Sequence, residues 1–250
     1  MNATTSTLNL LAALTYAGRG WRPFRLAPRA KVPLKGSHGF KDATTDTATI
    51  RTWWDEEPRA NVGIATGELS NIVVIESDPR NGGDETLRDL EAEHGDLPET
   101  VRALSGRQDG GTHYYFRHPG FYIKSGADRL GPGLDVKADG AYVVAPPSIH
   151  PKTGKEYEWD AGAHPADVPL ADLPDWMLAR LTETKTGPAS TSETDDWTIP
   201  EGQRNAGLLS IAGRLRRQAF NEEEIAGLLL VTNRHRCVPP LPEVKSSASP

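Results

Sequence analysis

Four β-branched residues in unbroken succession, Ile72-Val73-Val74-Ile75, constrain this chain more than any other stretch. A short continuous run of this kind belongs in a strand buried on both faces, so packed layers must lie above and below it. Charge follows at once, because Glu76-Ser77-Asp78 leaves the strand directly. Residues two apart on a strand share a face, so both carboxylates can converge on one cation. Oxygen ligands suit hard divalent ions such as Mg²⁺ and Mn²⁺. The plainer reading is an acidic turn, with Asp78-Pro79 and Asn81-Gly82-Gly83 as turn chemistry.

Periodicity supplies the layers. Leu8, Leu11, Ala12 and Thr15 recur at helical spacing, widened by Leu10, Leu14 and Ala17, and Gly18 and Gly20 can stop that helix. A second helix is predicted over 46–56, capped by Asp46, with Ile50, Trp53 and Trp54 as its apolar face. Residues 61–67 read as a short strand ending in glycine, and 83–94 as a helix. Further strands are expected over 112–117, 134–137 and 141–144, with turns at Asp139-Gly140 and Pro146-Pro147, then a short amphipathic helix over 173–181.

Residues 182–196 contain no apolar side chain larger than alanine and read as a linker. Beyond it, Leu208, Ile211, Ala212 and Leu215 mark one helix. Asn221 before Glu222-Glu223-Glu224 is a capped start for another, carrying Ile225, Leu228 and Leu229. The expected organisation is a main domain over 1–181, the linker, and a small helical module over 197–245. That module has little to bury and reads as cut from something longer.

Composition narrows the classes. The chain has 250 residues, 37% hydrophobic and 25% charged, which is enough apolar material for a core without staples. One cysteine, Cys237, excludes an intrachain disulfide and a multi-cysteine zinc site, so no zinc is expected. No segment approaches the ~20 consecutive apolar residues of a membrane helix, and no secretory leader is visible; a cytoplasmic protein is expected. A net charge of -6 argues against coating nucleic acid by bulk electrostatics, while local basic clusters can still engage a phosphate backbone.

Two more stretches carry chemistry. In Ser105-Gly106-Arg107-Gln108-Asp109-Gly110-Gly111-Thr112-His113, glycines let backbone N–H groups approach a triphosphate, and Ser105, Arg107 and His113 are potential phosphate donors. The plainer reading is a glycine-rich hairpin with a half-buried histidine. In Gly133-Leu134-Asp135-Val136-Lys137, Asp135 lies within a strand, and a carboxylate there needs a metal or a partner; Lys137, on the same face, is the competing partner.

From about Ala12 to Leu181 the sequence resembles the bifunctional primase–polymerase domain of the archaeo-eukaryotic primase superfamily, of plasmid and phage type. Four stretches carry the likeness: Gly39-Phe40-Lys41-Asp42-Ala43-Thr44-Thr45, Asn61-Val62-Gly63-Ile64-Ala65-Thr66-Gly67, Val74-Ile75-Glu76-Ser77-Asp78-Pro79-Arg80-Asn81-Gly82-Gly83, and Gly140-Ala141-Tyr142-Val143-Val144-Ala145-Pro146-Pro147-Ser148. The resemblance implies an α/β (α+β) primase fold with a mixed sheet core and an RRM-like catalytic half. It makes Glu76, Asp78 and Asp135 the catalytic ligands of Mg²⁺ or Mn²⁺, and places Ser105 and His113 in the nucleotide-binding motif. The first motif usually reads Asp-x-Asp or Asp-x-Glu, whereas Glu76 opens it here.

The region from Ile199-Pro200-Glu201-Gly202-Gln203-Arg204-Asn205 to Leu241-Pro242 resembles the helical segment that follows such domains. Arg204, Arg214, Arg216 and Arg217 there are candidates to touch template or initiating nucleotide; a solvated helix face is the plainer reading. The expected activity is template-directed DNA primase and polymerase, a nucleotidyltransferase of DNA replication acting on single-stranded DNA and nucleoside triphosphates. Arg107 and Lys137 would help Ser105 and His113 hold the triphosphate. A helicase partner and a bacterial host cytoplasm, if phage- or plasmid-encoded, accompany that expectation. The rivals are a nucleotide-sugar glycosyltransferase using the acidic pair on a metal–diphosphate, and a single-stranded-DNA-binding module whose chemistry is weakened at Glu76.

Overall fold

The computed structural model describes residues 5–107, 110–182, 198–202, 204–217 and 221–242. The linker expected over 182–196 lies outside them apart from Thr182. The chain divides into two units, Met1–Lys185 and Thr186–Pro250. The first runs α1 (Thr5–Gly18), β1 (Pro23–Leu26), α2 (Thr47–Glu56), β2 (Asn61–Ala65), β3 (Ile72–Ser77) and α3 (Gly83–His94). It continues with β4 (Val101–Leu104), β5 (Thr112–Arg117), β6 (Leu134–Lys137), β7 (Tyr142–Ala145), β8 (Glu158–Trp159), β9 (Ala171–Asp172) and α4 (Asp175–Thr182).

Two sheets result. The small one has the antiparallel order β1-β2-β7. The large one has the order β6-β3-β5-β4-β8, with β9 added parallel to β5, which makes it mixed. Its β6-β3-β5-β4 part, with α3 between β3 and β4, is the RRM-like half expected of an α+β primase fold. As its unbroken apolar run demands, β3 is buried on both faces. Ile72 and Val74 enter a cluster shared with α1, α2 and the small sheet, including Ile50, Trp54, Val62, Ile64 and Val143. Val73 and Ile75 enter a second cluster with Leu87 and Leu90 of α3 and Met177 and Leu181 of α4. The alternation of β3 thus puts Glu76 on the face that looks toward the small sheet.

Local signals explain most element ends. Asp46 caps α2, its carboxylate accepting from the Thr49 N–H at 2.8 Å. Ile50 and Trp54 are buried, while Trp53 lies half-buried under the Arg25 guanidinium. Helix α1 corrects the sequence reading: Asn9, Ala13, Tyr16 and Ala17 face the core, and Leu8 and Leu11 are exposed. The helix is apolar nearly all round, so spacing could not choose its face. Two polar groups of the inward residues are bonded, with Asn9 Nδ2 donating to Ala60 O and Tyr16 OH to Pro146 O. Strand β4 has only four residues and carried no signal in the sequence. β7 begins one residue later than expected, and α4 begins after Pro174 rather than at Leu173.

The second unit holds α5 (Arg204–Arg217) and α6 (Glu222–Arg236), with a two-residue parallel pairing of β10 (Ile199–Pro200) and β11 (Cys237–Val238). Asn221 and Glu224 form a reciprocal capping box. Three glutamates at the start of α6 and Arg234, His235 and Arg236 at its end complement the helix dipole. Ile225 is buried, but Leu228 is exposed, so the apolar face of α6 is narrower than the sequence implies. No helix among the described residues is long and apolar enough to cross a membrane.

Candidate active site

Antiparallel register draws a line across the large sheet. Ala103 of β4 stands opposite His113 of β5, His113 opposite Glu76 of β3, and Glu76 opposite Asp135 of β6. Directly opposed residues share a face, so His113, Glu76 and Asp135, with Lys137 two residues on, all look toward the small sheet. Leu134 and Val136 are buried in the cluster on the other side. Asp78 lies just past β3 as the cap of a short 3-10 turn, Pro79–Asn81.

These side chains line one cavity of about 430 Å³. Its carboxylates are already engaged. Lys137 Nζ lies 3.3 Å from Glu76 Oε2 and 3.2 Å from Asp135 Oδ2. Arg107 Nη2 donates to both Asp78 oxygens, at 2.8 and 3.0 Å, and Arg80 N and Asn81 Nδ2 also donate to Asp78. His113 Nε2 is 3.5 Å from Glu76 Oε1. Burial works to lower the Lys137 pKa, but the two carboxylates outweigh it and raise it. Burial lowers that of His113, with Glu76 opposing, which favours the neutral imidazole at pH 7.

All seven predicted first-domain residues, Glu76, Asp78, Ser105, Arg107, His113, Asp135 and Lys137, line this cavity. Buried Ser105 Oγ and His113 Nδ1 have no hydrogen-bond partner among the described residues, which leaves polar capacity unused beside the cavity. Asp135 takes the partner that the plainer reading gave it, Lys137, and stands opposite Glu76. Sequence reasoning missed Lys31, Tyr142 and Tyr157, which also line the cavity. Lys31 sits in a proline-punctuated loop with no periodicity, and only the fold brings it here.

Glycine in the β4–β5 hairpin serves packing as much as ligand approach. A Cβ on Gly106 would come within 2.6 Å of Lys155 O and 2.7 Å of Glu156 O. The Gly106 carbonyl also accepts from the Thr153 hydroxyl. The hairpin is thereby bolted to the segment before β8, which sets where Ser105 and Arg107 stand. Gly111, by contrast, does line the cavity.

Among the described residues no group of three Asp, Glu, His or Cys side chains forms a preformed metal cluster. The donor chemistry nonetheless fits a hard cation. Glu76 and Asp135 already share one positive charge, the Lys137 ammonium, and Asp78 borders the same cavity. In the second unit Arg204 is tied up internally, donating to Pro239 O at 2.7 Å, and Arg216 is exposed. The side chains of Arg214 and Arg217 lie outside the described residues.

Residues 13–176 match the family model described as bifunctional DNA primase/polymerase, N-terminal. Residues 195–245 match a second, described as primase C terminal 1. No curated protein matches the chain.

Proposed function

Because the chain belongs to the bifunctional DNA primase/polymerase family, we propose that the cavity between its two sheets carries out template-directed nucleotidyl transfer on single-stranded DNA. One observation carries this reading: Glu76 and Asp135 stand opposite each other on adjacent strands and share a cation, in the cavity that Asp78, Arg107 and His113 also line. Glu76, Asp78 and Asp135 would hold Mg²⁺ or Mn²⁺. Bound there, the ion supplies Lewis acidity for attack of a 3′-hydroxyl on the α-phosphate of an incoming nucleotide.

The chain's own residues do the rest. Arg107 and Lys137, now spent on carboxylates, are the cations that can turn to the triphosphate. Ser105 and His113 bring polar atoms that have no partner among the described residues. A neutral His113 offers one N–H donor and one acceptor, so it positions a phosphate or hydroxyl oxygen without adding charge. The exposed Arg216, with Arg214 and Arg217, is proposed to meet template or initiating nucleotide.

Replacing Asp78 and Asp135 together with alanine is expected to abolish primer synthesis and extension on single-stranded DNA in Mg²⁺ and in Mn²⁺. Undiminished synthesis by that double variant would refute the site. Pyrophosphate release that depends on template identifies nucleotidyl transfer; release of a nucleoside diphosphate instead would identify a glycosyl transfer.

A further inference from the structure

Three cations line the cavity with the three carboxylates, and two of them are spoken for. Lys137 lies between Glu76 and Asp135, and Arg107 lies on Asp78. The third, Lys31, makes no ion pair with a described residue, although Glu76, Asp78, Arg107 and Lys137 all act on its charge.

Its backbone is held from several directions. The Lys31 carbonyl accepts from Tyr142 OH at 3.1 Å, the Ala30 carbonyl from Asn61 Nδ2 at 3.0 Å, and the Val32 carbonyl from Ala27 N–H at 2.9 Å. Both Asn61 and Tyr142 belong to the small sheet, so the loop is anchored to the wall facing the carboxylates. From there Lys31 Nζ stands 5.9 Å from the centroid of the Tyr157 ring, within cation–π range. That ring is buried, and His113 packs against it at 5.9 Å. An aromatic face attracts the ammonium but leaves its three N–H donors needing oxygen acceptors.

We propose that Lys31 is a binding residue for the polyphosphate of the incoming nucleotide, reaching it from the wall opposite Glu76 and Asp135. The assignment rests on the nucleotidyl-transfer reading of the cavity. Lysine suits this role, being a compact point charge on a flexible stem that needs no fixed fork geometry. Partial burial lowers the Lys31 pKa, a cost that an anion arriving beside it would offset. Unlike Arg107 and Lys137, Lys31 breaks no ion pair with a described residue in order to bind.

The test titrates the full chain with an α,β-imido deoxynucleoside triphosphate in Mn²⁺, comparing wild type, Lys31→Met and Lys31→Arg. Lys31→Met is expected to bind about tenfold more weakly, the loss of one charge-assisted contact. Lys31→Arg should stay within about threefold of wild type, and Mn²⁺ affinity should not weaken in either variant. Under turnover, the rise should appear in the nucleotide KM of Lys31→Met rather than in kcat. Lys31→Gln repeats the comparison if the methionine variant does not fold. Unchanged nucleotide affinity on loss of the charge, with wild type binding normally, overturns the assignment. A loss confined to single-stranded DNA affinity overturns it too, and would put Lys31 on a strand backbone. A wild type that binds neither nucleotide nor Mn²⁺ sinks the nucleotidyl-transfer reading itself.

Discussion

Glu76 stands where the resembled family usually has aspartate, and its extra methylene has visible use. It carries one carboxylate oxygen to 3.3 Å from Lys137 and the other to 3.5 Å from His113. Lys137 in turn lies between Glu76 and Asp135, and on the proposed reading a divalent ion would need the same oxygens, so ammonium and metal would compete for them. Partly exposed ion pairs are worth ~0.2–1 kcal/mol each. Lys137→Met is therefore expected to tighten Mn²⁺ binding measured without nucleotide, by about two- to fivefold, whereas Lys137→Arg should leave it near wild type. Calorimetry of both variants decides this, and a flat or weakened Mn²⁺ affinity in Lys137→Met would contradict the competition.

At the scale of elements, the site depends on how β3 hands over to α3. Asp78 N–H donates to Gly133 O, and the Gly83 N–H donates to Asp78 O, both at 2.9 Å. The start of α3 is thus pressed against the entry to β6. A Cβ on Gly83 would lie 2.6 Å from both Asp78 N and Gly133 O, backbone atoms that cannot swing aside. Gly83→Ala should cost about 1–3 kcal/mol in urea unfolding, the usual penalty of overpacking. It should also impair primer extension by displacing Asp78. Gly18→Ala is the control: a Cβ there meets nothing within 4 Å, and stability should hold. Extension at wild-type rate in Gly83→Ala would show that Asp78 does not need this junction. A second clamp lies at Asp139, which accepts from Ile123 N–H and Glu68 N–H and pairs with His118, fixing the turn before the cavity-lining Gly140 and Ala141. Burial would raise the Asp139 pKa, but these donors outweigh it and lower it.

For the whole molecule, the apolar clusters around both sheets are built, among the described residues, from those between Leu10 and Leu181. A chain ending at Thr182 is accordingly expected to melt in one cooperative transition by calorimetry; a broad, non-cooperative melt would mean that the first unit lacks a sufficient core of its own. Much of that unit was legible in advance, because its signals are local. The β-branched run of β3, the Asp46 cap of α2, and the strands of His113 and Asp135 each follow from neighbours in sequence. The parity of strands even placed Asp135 and Lys137 on one face. Other features depended on distant partners. The face of α1 was chosen by Ala60 and Pro146, and β4 exists because β5 and β8 pair with it. The sequence by itself determined which residues carry the charge and which strands carry them. Tertiary structure decided that Glu76 lies between His113 and Asp135, that Lys137 and Arg107 neutralise the carboxylates, and that Lys31 and Tyr157 close the cavity from across it. The physical reason is range: strand parity and capping act over a few residues, whereas register and the facing of two sheets join residues as many as 130 positions apart.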